Sequence, residues 1–217
     1  EFLDVGGKII PVTFDNVRLL ARYSNGRQVL GQHLIVEPCD DIGDYKIVGM
    51  ETVPGARANP EAIRAIKESD LVVLGPGDLY TSIICNLIVE GISETIRKCN
   101  PKIVFVQNLM TKYGETHNYK ASDFIKELEK HIGEGGVDVC LTHKNGSFPK
   151  EILFRYKKEK GFPVEDDLQI FKNRNLKVIR KNFMSNKFCK KVKGDNIRRS
   201  LIRHDPDKLA GAIVSLI

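Results

Sequence analysis

Leu71 to Asn86 reads LVVLGPGDLYTSIICN, an apolar run followed by a Gly-Pro-Gly loop and then by hydroxyl side chains. That order suits the binding of an anion. Glycines let backbone N–H groups come close to a phosphate, Thr81 and Ser82 add hydroxyl donors, and a following helix aims its positive end at the same spot. The loop matches neither the dinucleotide fingerprint G-x-G-x-x-G nor the Walker loop, because the third glycine and the Gly-Lys-Ser/Thr ending are both missing. A tight turn after a buried strand would read the same way.

A second polar constellation follows. The apolar run 103–108 ends in Asn108-Leu109-Met110-Thr111-Lys112-Tyr113-Gly114-Glu115-Thr116-His117-Asn118-Tyr119. In doubly wound sheets the loops at strand C-termini carry the ligand contacts, and two such loops converging on one crevice make a nucleotide-type pocket. The ordinary alternative is a polar surface loop.

The elements that must position these loops can be read from periodicity. Residues 7–53 form an expected antiparallel meander of GKIIPVT, VRLLARY, QVLGQHLIV and YKIVGMETV, with Ser24-Asn25-Gly26 as a hairpin turn. Asn59 then caps, Pro60 opens and Ala62, Ile63 and Ile66 line a helix ending near Ser69. From there strands at 71–75, 103–108 and 137–143 alternate with helices within 79–99 and over 121–132, so parallel order follows from the right-handed crossover rule. A helix after Pro149, a strand LKVIRKNF and a last helix capped by Asp205 and opened by Pro206 complete the chain. The expectation is an α/β fold: one Rossmann-like domain over 1–217 with a largely parallel sheet, flanking helices and the β meander 7–53 within it.

Composition narrows the rest. The 217 residues are 41% hydrophobic, enough for one sizeable core. No apolar run approaches a bilayer span and residues 1–20 lack signal-peptide character, so no membrane partner and a cytoplasmic location are expected. Cysteines 39, 85, 99, 140 and 189 are odd in number and lack a C-x-x-C pair, which reads as reduced thiols. The histidines lack i, i+4 pairing, so no metal is expected and His33, His131 and His143 take structural roles. Residues 172–199 hold eleven basic side chains against Asp195 alone, a local +10 in a chain of net +6. No RRM, KH or helix-turn-helix signature accompanies that tract, which argues against nucleic acid as the partner.

GPGDLYTSIICNLIVEGI, QNLMTKYGETHNYKASDF and LIRHDPDKLA, in that order, resemble the gluconeogenesis factor proteins, which are related to the 2-phospho-L-lactate transferases. The likeness runs from about Phe2 through the final helix and thins between 166 and 196. It implies a Rossmann-like protein that binds UDP-N-acetylglucosamine or a related UDP-sugar and regulates carbon flow into cell-wall precursors and cell shape. A regulated enzyme partner and a homo-oligomer go with it. The transferase relatives imply a different activity: transfer of a phospholactyl-type group from a nucleotide diphosphate donor, with Glu115 or Asp123 as base and Mg2+ bridging phosphates.

The resemblance carries over Gly75, Gly77, Thr81, Ser82 and Asn86 on the first loop, with Asp78 beside them. On the second motif it carries over Asn108, Thr111, Gly114, Glu115, Thr116, Tyr119 and Asp123. Tyr156 and Arg203 resemble ligand-contacting positions, and Arg203 precedes the last helix where a guanidinium suits a diphosphate. The family often has Ser at Asp78, Pro at Cys85, Asp-Gly at His117-Asn118 and His at Phe124. Asp78 beside an anion costs affinity unless it points away or caps the next helix. The family's upstream Gly-Gly-Gly-Thr-Gly and Asp-Asp-Gly-Gly-Ser-Ser segments have no counterpart here, so the chain resembles the C-terminal two-thirds of a family member. That missing strand and helix would pair with this sheet, leaving apolar surface exposed.

Overall fold

The computed structural model describes residues 6–38, 41–144, 148–186 and 201–217. Cys39, Cys189, Phe2, Phe188 and the basic residues from Lys187 to Arg199 lie outside them. Strands β1 (Arg18–Tyr23), β2 (Gln28–Leu30) and β3 (Ile47–Val53) form an antiparallel sheet in the order β2-β1-β3. The hairpin closes as the Asn-Gly signal predicts: Gly26 takes φ +85° and its N–H donates to the Tyr23 carbonyl at 2.9 Å.

The meander has three strands instead of four. Residues 7–13 stay irregular because their carbonyls serve the next helix: the Asn59 side chain donates to Pro11 at 3.0 Å and the Asn59 N–H to Val12 at 2.8 Å. Pro11 also brings no N–H to a ladder. QVLGQHLIV breaks at Gly31, whose φ of +118° ends β2 and opens the short helix α1 (Gln32–Val36).

Past residue 59 the expected alternation holds. Helix α2 (Pro60–Lys67) starts where the Asn59 side chain accepts the Glu61 N–H at 2.9 Å. Strand β4 (Leu71–Leu74) leads through the glycine loop to a π-helical turn (Leu79–Ile84) that runs into α3 (Cys85–Leu87), and Gly91, at φ +100°, separates this from α4 (Ile92–Cys99). Strand β5 (Lys102–Val106), helix α5 (Ala121–Ile132), strand β6 (Val139–His143), helix α6 (Lys150–Lys158), strand β7 (Lys177–Lys181) and helix α7 (Pro206–Val214) follow. The four strands pair in parallel in the order β4-β5-β6-β7.

The apolar run of β5 is continuous because both faces of the sheet are covered. Ile103 and Phe105 pack into the larger core with Phe124, Ile125 and Leu128 of α5, while Val104 and Val106 pack with Leu209 and Ala212 of α7. Layers on both faces leave the carboxyl ends of β4 and β5 as the place where loops gather. β4 is an edge of this sheet, and Val73 is 37% exposed there.

Candidate functional site

Chain reversal after β4 requires its glycines. Gly75 has φ +90°, and a Cβ there would stand 3.2 Å from the Val106 carbonyl oxygen. A Cβ on Gly77 would press to 3.0 Å from the Ser82 Cβ. The second loop meets the first at this point, where the Asn108 side-chain amide donates to the Gly77 carbonyl at 2.8 Å. The other amide atom of Asn108, Oδ1, is buried without a partner, as are both side-chain polar atoms of Gln107.

A stronger junction lies one turn further on. The N–H groups of Tyr80 and Thr81 both donate to Glu115 Oε2 at 3.1 Å, and the Thr81 hydroxyl donates to Oε1 at 2.9 Å. The amides at the start of a helix are the natural anion site, and here the chain's own carboxylate fills it. The Glu115 side chain is 0% exposed. Burial first, and the nearby Asp78 charge second, hold its carboxyl above the usual carboxylate range, against the Lys112 ammonium and the Thr81 bonds.

Asp78 neither points away from the loop nor caps the turn it precedes; its carboxylate makes an ion pair with Lys112. Lys112 Nζ also lies 3.6 Å from Glu115 Oε1. The Lys112 N–H donates to the Thr116 hydroxyl at 3.0 Å, which places Thr116 in the turn that presents Lys112. Tyr119 joins the group through Tyr80, their hydroxyls 2.8 Å apart, and burial pushes its phenol up to about 12. Gly75, Gly77, Asp78, Thr81, Asn108, Glu115, Thr116 and Tyr119 thus form one connected assembly.

The remaining expected residues sit around it. Ser82 and Asn86 are exposed, with the Asn86 amide donating to the Ser82 carbonyl at 2.7 Å, and both line a cavity of about 470 Å³ beside β4 with Pro76, Ile66 and Val72. Thr111 is buried and accepts the Phe162 N–H at 3.0 Å. Asp123 is engaged in starting α5, where it accepts the Lys120 N–H at 2.9 Å. The Tyr156 hydroxyl accepts the Ile202 N–H at 3.2 Å, and Arg203, exposed, receives the Ser185 N–H on its carbonyl at 2.8 Å. These two hold the neighbouring cluster of Leu109, Met184 and Ile202.

Three residues at this end of the sheet carry no signal that singles them out in the sequence: Lys112, Gln107 and His204. A lysine three positions before a glutamate reads as a surface pair, and nothing local tells that Glu115 is sealed. His204 reaches the site only through tertiary contact, its Nε2 donating to the Gln107 carbonyl at 3.1 Å. His143 keeps its expected structural role, its Nδ1 accepting the Phe183 N–H at 3.2 Å. Cys85, Cys99 and Cys140 are free thiols. Among the described residues no helix is long and apolar enough to cross a membrane.

The chain resembles known proteins over nearly its whole length. The chain is 36% identical over 217 residues to the gluconeogenesis factor of Bacillus subtilis, covering 100% of this chain and 63% of that protein. It is 32% identical over 215 residues to the gluconeogenesis factor of Listeria innocua, covering 99% of this chain and 61% of that one. The crystal structure of a upf0052 family member from Bacillus halodurans superposes with a TM-score of 0.83 at 30% identity, over 98% of this chain and 63% of that one. The chain therefore spans less than two thirds of the length of these relatives. The family model described as 2-phospho-L-lactate transferase CofD matches residues 1–184, and on that match the protein belongs to the CofD family.

Proposed function

We propose that the protein is a UDP-sugar-binding regulator of the gluconeogenesis factor kind, acting on carbon flow to cell-wall precursors and on cell shape. The observation that carries this reading is the joining of two strand-end loops, after β4 and after β5, by the Asn108–Gly77 and Thr81–Glu115 hydrogen bonds. Crevices outside the carboxyl ends of parallel strands are where nucleotide-type ligands bind. The names of the relatives support a regulatory role. An enzyme partner under its control, a homo-oligomeric state and a cytoplasmic location complete the reading.

The family's name supports a second reading, a phospholactyl-type transferase. Its two candidate bases are poorly placed for that work: Glu115 is enclosed and bonded to two amides and a hydroxyl, and Asp123 is bound to the start of α5. A general base must reach the proton it removes. Among the described residues no three His, Cys, Asp or Glu side chains converge as metal ligands, so no protein donor set for Mg2+ is assigned.

Thermal shift with UDP-N-acetylglucosamine, UDP-glucose, GDP and NADP separates the readings. A UDP-sugar at 100 times its Kd stabilises the folded protein by about 2.7 kcal/mol, whereas no shift with any UDP-sugar sinks the regulator. Arg203→Ala is expected to shrink the shift, and an unchanged shift removes Arg203 from the site. Turnover of a nucleotide diphosphate donor in the presence of magnesium would favour the transferase.

A further inference from the structure

Lys112 stands where the two loops and two carboxylates meet. Its backbone is fixed in a tight turn, with the Thr116 N–H donating to the Lys112 carbonyl at 2.8 Å and the Lys112 N–H donating to the Thr116 hydroxyl at 3.0 Å. The ammonium therefore reaches the Gly-Pro-Gly loop from a defined direction. There it contacts the Asp78 carboxylate, directly after Gly77.

An aspartate just before a helical turn ordinarily accepts that turn's free amides. Asp78 does not, because Glu115 has already taken the Tyr80 and Thr81 N–H groups. The two carboxylates consequently differ in kind. Glu115 is sealed at 0% side-chain exposure, while Asp78 and Lys112 are 37% and 32% exposed and open to an incoming ligand. With the helix-start amides occupied, the Lys112 ammonium is the charge at this loop left to meet a phosphate beside Gly77, apart from the Arg203 guanidinium just before α7.

We propose that Lys112 is the phosphate-binding cation of this crevice and that Asp78 is its built-in competitor, setting affinity by holding the ammonium until a phosphate displaces it. The ion pair is only partly buried, and a phosphate brings more charge and more acceptor oxygens than a carboxylate, so the exchange runs toward the ligand. Asp78 also repels any anion that arrives, so it weakens binding twice over, by competition and by like charge. This deepens the UDP-sugar reading and rests on a diphosphate occupying the crevice.

Titration calorimetry of four proteins (wild type, Asp78→Asn, Lys112→Met and the double variant) with inorganic pyrophosphate and with UDP-N-acetylglucosamine tests it. Asp78→Asn is expected to bind pyrophosphate roughly five- to tenfold more tightly than wild type. Lys112→Met is expected to lose binding, and the double variant to show no gain over it. An unchanged or weakened Asp78→Asn, a gain that survives in the double variant, or undetectable pyrophosphate binding in all four overturns the proposal. Gain with pyrophosphate but no binding of the UDP-sugar to any of the four leaves the Lys112–Asp78 competition standing and removes the UDP-sugar reading. Equal binding of the UDP-sugar to wild type and Asp78→Asn does the reverse.

Discussion

Glu115→Ala lowers the free energy of unfolding by about 2–5 kcal/mol, because the backbone donors of Tyr80 and Thr81 and the Thr81 hydroxyl lose a buried acceptor together. Urea denaturation monitored by circular dichroism measures it, and a loss within error of zero would mean that the carboxylate does not hold the loops. Glu115→Gln gives the pH signature. Burial raises the carboxyl of Glu115 in the folded chain above its usual 4.5, so the folded state holds that proton more tightly than the unfolded chain. The associated stability is complete below pH 4.5 and is lost as pH rises through the folded-state value. Wild type should therefore lose ground to Glu115→Gln as pH rises above 4.5, and parallel stability curves would contradict the assignment.

His204 acts in the opposite direction on the acid side. Burial, with His143 behind it, brings its pKa down from 6.5 to about 4, so the folded chain keeps a neutral ring that donates from Nε2 to the Gln107 carbonyl. An unfolded histidine takes up a proton near its ordinary value while the folded one refuses it. Stability from this group is thus complete above pH 6.5 and is lost as pH falls toward about 4. At about 1.4 kcal/mol per pKa unit, the full loss is about 3 kcal/mol. His143, whose own pKa burial and Lys208 lower, adds to the same trend. His204→Gln, measured by urea denaturation at pH 7 and pH 4.5, should flatten the fall by most of that amount. A slope equal to wild type would remove His204 as its source.

What could be read in the sequence was local. The start of α2 at Asn59 and that of α7 at Asp205 are set by side chains that accept amides two or three residues ahead, so the cap residues alone predict them. The glycines at 75 and 77 announce the loop because Gly75 takes φ +90° and a Cβ on either would crowd a neighbour to 3.0–3.2 Å. The failures are contacts between distant parts of the chain. Residues 7–13 look like a strand by alternation, yet Asn59, far along the chain, takes their carbonyls. Thr81 and Glu115 are likewise far apart along the chain. The hydroxyl expected near a ligand's phosphate is bonded instead to a carboxylate 34 residues away, a pairing that no spacing rule reveals. Asp78, out of place beside an anion by its charge, is paired with Lys112 of the second loop.

These contacts also change which atoms remain for a ligand. Thr81 and Glu115 act as the framework that fixes the two loops, and in the proposed reading a ligand would meet Gly75, Gly77, Ser82, Asn108, Lys112 and Arg203. The unpartnered Oδ1 of Asn108 and the unpartnered amide of Gln107 mark the same end of β5. Buried polar atoms without partners are rare in folded proteins.

Amide chemical-shift mapping by NMR during titration with UDP-N-acetylglucosamine tests the two-loop crevice most directly. The expected result is a contiguous set of perturbed amides in 75–82 and 108–116, with little change in β1 to β3. Perturbations confined to the basic stretch 172–199, or absent from both loops at saturating ligand, would contradict it.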